Sequence, residues 1–185
     1  MDAKDIFFTE QIYVSRVMKM LMDEGKNIEK GKDPNLNFWL FFEKFMREFV
    51  DKHYMKKAEH LLKALLQKGI SKEEKDRIIG ILCEHEMSGH YITKLGEIFN
   101  KDFGNNKKTI EGLKKVLQVF KIAFKGSPEK QTVKIYEYTE KYFDEEDYRD
   151  FRDQFLKANE QMDYVGYAKN ILNLEKHYSS DYQMQ

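Results

Sequence analysis

The chain has 185 residues, with 32 basic and 32 acidic side chains, so its formal net charge is zero. This length suits one domain with a sizeable core, and the balanced charge gives no indication of nucleic acid or a membrane surface as a partner. A mean hydropathy of −0.73 beside 14% aromatic residues predicts an apolar interior under a charged surface. The single cysteine, Cys83, excludes an internal disulfide and a multi-thiolate metal site.

Neither a membrane-spanning helix nor a signal peptide is predicted. The most apolar run, FWLFFEKFMREFV (Phe38 to Val50), is interrupted by charged residues and is too short to cross a bilayer. The first residues, MDAKDIFFTEQ, lack a basic start followed by an apolar stretch. We therefore expect a cytoplasmic protein.

Apolar residues recur at spacings of three and four, without a clear period of two, which predicts an all-α chain. The first helix is predicted over residues 5–23. The second is predicted over residues 33–68, beginning at Asp33-Pro34, where an acidic cap precedes a proline, and ending before Gly69. The third is predicted over residues 71–100, because SKEE (Ser71 to Glu74) forms a capping box.

The fourth long helix is predicted over residues 109–143, with an interruption at KGSPEK (125–130). There Ser127 caps and Pro128 restarts the helix, since a proline inside a helix removes a backbone bond. FDEEDYRDF begins a further helix, and the tail to Tyr178 is predicted to be helical. Four long amphipathic helices with short connections predict an up-down four-helix bundle. We expect one domain over 1–185, with its core over 1–143 and a C-terminal helical extension over 144–178.

One polar residue interrupts the apolar stripe of each long helix. A buried polar group costs roughly 1–3 kcal/mol if it finds no partner. Four such residues at similar depth therefore indicate one shared polar centre inside the bundle, which is where bundles build carboxylate and histidine metal sites. The four residues are Gln11, Glu59, His85 and Gln131.

Four segments, MDAKDIFFTEQ, FVDKHYMKKAEHLL, CEHEMSGHYITKL and IYEYTEKYFDEED, together resemble the hemerythrin-like, or HHE cation-binding, domain family. The resemblance covers about residues 1–160. It implies a four-helix bundle around an oxo-bridged di-iron centre. The family's ligands are a histidine on the first helix, a histidine and a glutamate four apart on the second, a histidine on the third, and another such pair on the fourth.

Carried over residue by residue, the resemblance leaves only Glu59 and His85 as good ligands. Iron prefers imidazole and carboxylate donors, and one of each cannot hold two irons. We therefore predict that the di-iron centre does not form and that no cofactor is bound, with a single iron or zinc ion on Glu59 and His85 as the alternative. The family's ligand positions, which would line the former metal cavity, are occupied by Gln11, Met55, Glu59, His85, Ser127 and Gln131.

The segment HYMKKAEH carries two further histidines, His53 and His60. They are seven residues apart, about 10 Å along a helix, which is too far to chelate one ion. They share their face with Lys57 and not with Glu59 or Met55. We therefore expect both histidines at the surface or at its boundary.

Three interpretations of the polar centre remain open. It can be a closed hydrogen-bond network with a structural role, a weak one-metal site that responds to oxygen or redox state, or a ligand pocket left by the lost ligands. The preferred hypothesis is a non-catalytic binding, sensing or interaction module, with a small molecule in the bundle core or a protein as partner. An enzyme is the least supported reading, because no acid–base pair exists beyond Glu59 and His85.

Overall fold

Nearly every described residue of the chain is helical. The structure, a computed structural model, describes residues 3–102, 106–123 and 128–180, and their side chains within 5–99, 107–121 and 130–178. The described residues contain no strand, so the predicted all-α class is confirmed. The elements are α1 (Ala3–Glu29), α2 (Leu36–Lys44), a π-helix (Phe45–Tyr54), α3 (Met55–Leu65), α4 (Lys72–Asp102), α5 (Asn106–Ala123), α6 (Pro128–Tyr142), α7 (Glu145–Asn159) and α8 (Tyr164–Ser180).

The predicted capping box begins α4, and a second capping box begins α7. The backbone N–H of Ser71 donates to Glu74 at 3.0 Å, and the N–H of Glu74 donates back to the Ser71 hydroxyl at 3.3 Å, which forms the capping box before α4. Asp144 and Asp147 form the same reciprocal pair before α7. The structure describes α5 up to Ala123 and α6 from Pro128, so the predicted interruption, with Ser127 as its cap, falls on residues 125–127, which lie outside the described residues.

Three predicted helix ends were wrong. α2 begins at Leu36 and not at Asp33-Pro34, because Asn35 is the cap and its side chain accepts from the N–H of Phe38 at 3.2 Å. α1 continues to Glu29 and is followed by Gly31, whose φ of 80° suits glycine. α3 ends at Leu65, and Gly69 does not adopt the left-handed conformation.

A π-helix joins α2 to α3 without a break. Its wider winding is shown at its end, where the N–H of Met55 donates to the carbonyl of Val50, five residues earlier. Ten consecutive π-helical residues are unusual, because such turns are normally single bulges, often at functional sites. The wider turn rotates the side chains that follow it relative to an α-helical register.

α1 lies at the centre of the packing. It contacts the π-helix, α5 and α6, and also α7 and α8 of the C-terminal extension, so the extension packs directly on the core. On the other side, α4 contacts α2, the π-helix, α3 and α5. The buried apolar side chains form one cluster, whose largest members include Trp39, Phe42 and Phe120. The up-down order and the single-domain boundaries stay predictions.

The described helices were also compared with the requirements of a bilayer. None of them combines sufficient length with sufficient apolar character to cross a membrane. Cys83 is exposed on α4.

Candidate functional site

The predicted cavity residues on α1 and α3 have separate local partners. Gln11 is buried and donates to the Ser15 hydroxyl, one turn along the same helix, at 2.7 Å. Met55 is buried in the apolar core. Glu59 is half-buried and pairs with Lys56 at 3.1 Å and with Lys63 at 3.5 Å, both on its own helix. Its carboxylate is thus neutralised by surface lysines.

His85 has the environment closest to the predicted polar centre. Burial lowers the pKa of its imidazole, which the charge of Glu59 and a hydrogen bond with Gln131 partly offset. Its Nδ1 atom is buried without a hydrogen-bond partner. The structure therefore brings Glu59, His85 and Gln131 into one neighbourhood. Ser127 lies outside the described residues, so the complete six-residue cavity stays a prediction.

The donor set of this neighbourhood does not fit a di-iron centre. Its ligands are the imidazole of His85 and the carboxylate of Glu59, which is already paired with two lysines, while the exposed carboxylate of Glu84 accepts from the Gln131 amide. Across the described part of the chain, no group of three or more histidine, cysteine, aspartate or glutamate side chains is placed to hold a metal ion.

The prediction for His53 was wrong, because its side chain is buried, with 7% exposed. His60 is exposed, as expected. His53 continues the apolar stripe of Phe45 and Phe49 from the π-helix, and Lys57, with 3% exposed, follows one turn later. The face of the rod that carries His53 and Lys57, which we expected at the surface, is therefore buried where it meets α1, α7 and α8.

A buried charge cluster forms where this face meets Glu10 of α1. Glu10 has 1% of its surface exposed, and its Oε1 atom accepts from Lys57 Nζ and lies 3.2 Å from His53 Nε2. Lys57 Nζ lies 2.8 Å from the same imidazole nitrogen and also donates to the side-chain oxygen of Asn159. The Tyr164 hydroxyl lies 2.7 Å from His53 Nε2, 2.9 Å from Asn159 Oδ1, and donates to Glu10. Side chains from five helical elements thus form one cluster, and three of them, His53, Lys57 and Tyr164, contact the same oxygen of Glu10.

The electrostatics of this cluster favour the charged form of Glu10 and disfavour the charged form of Lys57. Burial raises the pKa of Glu10, but hydrogen bonds with His53, the charge of Lys57 and hydrogen bonds from Lys57 and Tyr164 outweigh it, and the pKa is lowered. Burial lowers the pKa of Lys57 more than Glu10 raises it. Burial and the neighbouring Glu10 raise the pKa of Tyr164, which keeps its hydroxyl protonated. The second oxygen of Glu10, Oε2, is buried without a hydrogen-bond partner.

A cavity of about 340 Å³ opens beside the cluster, between the π-helix–α3 rod and α7. His53 and Lys57 belong to both the cluster and the cavity wall, and Lys57 Nζ lies 5.3 Å from the centre of the Phe155 ring. None of the ten described residues that line the cavity is acidic. They are Lys52, His53, Lys56, Lys57, His60, Gln154, Phe155, Lys157, Ala158 and Gln161.

The sequence contains one signal for this site. Phe45, Phe49, His53 and Lys57 follow one another at intervals of four, so two polar residues extend an apolar stripe. That pattern predicts buried polar groups in need of partners. The partners Glu10, Asn159 and Tyr164 had no comparable signal, because they come from distant parts of the chain.

Similarity to known proteins does not add to this geometry. No protein-family model, curated protein or solved structure matches the chain. The resemblance to the hemerythrin-like family therefore stays a prediction, and the function has to be argued from the site.

Proposed function

We propose that this chain is a non-catalytic binding module and that its ligand is a small anion carrying a carboxylate or phosphate group. The observation that carries the proposal is the cavity wall, in which four lysines and two histidines occur without a carboxylate. A concave surface lined by one sign of charge concentrates the opposite charge. The cavity volume also falls in the range of small-molecule sites.

The two walls of the cavity supply charge from opposite sides. Lys52, Lys56 and His60 occupy successive turns of the π-helix–α3 rod, and Lys157 faces them from α7. Lys56 is partly neutralised by Glu59, at 3.1 Å. Lys52 and Lys157 are exposed and form no ion pair with another described residue. These two ammonium groups are therefore the ones that we assign to the ligand.

The family-level part of the proposal is a degenerate hemerythrin-like, up-down four-helix bundle without the di-iron centre. The all-helical fold and the poor donor set around His85 support it. The ligand site that we propose differs from the former metal cavity, since His53 and Lys57 lie on another face of the rod than Glu59.

Calorimetric titration with inorganic phosphate tests the binding proposal. We expect K52E/K157E to weaken phosphate binding at least tenfold, because two attractive charges become repulsive. K114E/K115E is the matched control, since both lysines are exposed on α5 and the change in net charge is the same. An equal loss in the control would attribute binding to net charge and remove the cavity from the proposal.

A second candidate function is a mononuclear iron or zinc site on Glu59 and His85. The buried, unpartnered Nδ1 of His85 favours it, because a metal ion would satisfy that nitrogen. Metal content per chain and an absorption spectrum of freshly purified protein test this candidate. One metal that is lost in His85→Ala would support it, and two irons with a charge-transfer band would contradict the proposed loss of the di-iron centre.

A further inference from the structure

Lys57 differs from the other lysines of the cavity in burial and in partners. Lys52, Lys56 and Lys157 are exposed, as is normal for lysine, whereas Lys57 lies in the wall with 3% of its surface exposed. Its Nζ atom is within hydrogen-bond distance of Glu10, His53 and Asn159. A buried amine beside a base has the environment in which lysines react with carbonyl groups.

The amine of Lys57 can become neutral without a change in the net charge of the cluster. Lys57 Nζ and His53 Nε2 are 2.8 Å apart, so a proton can pass directly between them. Both nitrogens contact the same oxygen of Glu10, and a protonated His53 would still face that carboxylate at 3.2 Å. The buried site therefore keeps one positive and one negative charge in either state. Burial lowers the pKa of Lys57, which favours loss of its proton.

We propose that the cavity captures anionic aldehydes or ketones as a reversible imine on Lys57 Nζ. This inference rests on the proposed anion site and specifies its ligand class. The exposed ammonium groups of Lys52 and Lys157 hold the carboxylate or phosphate, and the carbonyl carbon meets the amine at the wall of the cavity.

The reaction needs no group that the cluster and the ligand do not supply. Lys57 gives a proton to His53, and its lone pair forms the C–N bond with the carbonyl carbon. The carbonyl oxygen takes the proton that the nitrogen releases, which gives a carbinolamine. His53 then returns its proton, the C–O bond breaks and water leaves. The sum is one ammonium group and one carbonyl compound giving one protonated imine and one water, with His53 as the acid and base.

Trapping with glyoxylate and cyanoborohydride, followed by peptide mass mapping, tests the inference. Cyanoborohydride reduces the imine to a stable secondary amine, so the modified lysine can be located. With less than one equivalent of glyoxylate, we expect Lys57 to be labelled at least tenfold more than any other lysine. Lys63→Arg, a matched change at an exposed lysine of α3 that does not line the cavity, should keep this preference, and Lys57→Arg should abolish it. Equal labelling of Lys57 and the exposed lysines would overturn the inference.

The His53→Gln variant tests whether His53 assists the reaction or Lys57 is labelled only because it is accessible. We expect this variant to label Lys57 at least tenfold more slowly at pH 7 and to regain rate as the pH rises, because solvent must remove the proton. An unchanged rate and pH profile, with the helical circular dichroism retained, would show that His53 takes no part. Phosphate binding is measured in parallel: phosphate binding without preferential labelling rejects the imine alone, whereas no binding of either probe rejects the anion site as well.

Discussion

Two buried carboxylates on α1, Glu10 and Glu24, have the same exposure and opposite surroundings. Each has 1% of its surface exposed, and they lie about four turns apart on the helix. Glu24 accepts from the backbone N–H of Asn35 at 2.6 Å, from the indole of Trp39 at 3.1 Å and from the hydroxyl of Tyr178 at 2.9 Å. All three donors are neutral and both oxygens of the carboxylate are used, so this cluster joins α1 to the start of α2 and to α8.

The Glu10 cluster contains groups that a purely structural network does not need. A buried ion pair adds little net stability compared with apolar packing, yet Lys57, His53 and Tyr164 all converge on one oxygen while the other has no partner. The Glu10 cluster shares His53 and Lys57 with the wall of the described cavity. A buried carboxylate whose oxygens all accept from neutral donors, such as Glu24, is typical of a structural role. A buried carboxylate with several titratable partners beside a cavity, such as Glu10, is a candidate for a functional role.

Substitution by glutamine should lower the stability of the protein more at Glu10 than at Glu24. Glu10→Gln leaves the buried Lys57 charge without its counter-ion, and we expect the free energy of unfolding to fall by about 3 kcal/mol. Urea denaturation at pH 7 measures it. A loss below about 1 kcal/mol would mean that Lys57 is not held as a buried cation by Glu10.

A double-mutant cycle sharpens the same contrast. Lys57→Met removes the cation, so adding Glu10→Gln to it should cost less than Glu10→Gln alone, with a coupling energy of about 1–3 kcal/mol. Denaturation of the wild type, both single variants and the double variant gives this energy. Additive losses would show that the two residues do not interact energetically.

Low pH should reveal the contribution of Glu10 to stability. The pKa of Glu10 is lowered from 4.5 in the folded protein. A lowered carboxyl pKa contributes stability that is complete above the unfolded value and is lost as the pH falls through the folded value. We expect wild-type stability to decline below about pH 4.5 more steeply than that of Glu10→Gln. Urea midpoints between pH 3 and pH 7 measure this, and parallel curves would contradict it.

Glu24→Gln should have a smaller effect. The amide oxygen can still accept from Asn35 and Trp39, and the Tyr178 hydroxyl can rotate to accept from the new NH₂ group. Because no cation is left behind, we expect a loss of about 1 kcal/mol, typical of one altered hydrogen bond. A loss equal to that of Glu10→Gln, measured side by side, would end the distinction between the two clusters.

The smallest effect is expected at the rim of the cavity. K52E/K157E should change the free energy of unfolding by less than about 0.5 kcal/mol, since both lysines are exposed and pair with no other described residue. Its effect on phosphate binding should be large by comparison. Thermal and urea denaturation check the stability, and a loss above about 1 kcal/mol would make the binding result uninterpretable as a contact with the ligand.

Much of the fold could be predicted because its signals are local. The spacing of apolar residues gave the helices, and the reciprocal pair of Ser71 and Glu74 gave the start of α4. The end of α1 and the cap at Asn35 were missed, although Gly31 and Asn35 were visible in the sequence. Burial of Gln11 and His85 also followed from their positions on apolar stripes.

The sequence by itself determined the helices, their caps and the segregation of apolar from charged side chains, because these depend on residues within a few positions of one another. Only the tertiary structure decided which polar groups became partners. Glu10, His53, Lys57, Asn159 and Tyr164 come from five elements and more than 150 residues of chain. Their meeting depends on the wider winding of the π-helix and on the packing of α7 and α8 against α1. Helical periodicity assumes a constant number of residues per turn and contains no information about which distant helix covers a face. The apolar stripe alone could therefore predict neither the π-helix nor the packing of α7 and α8.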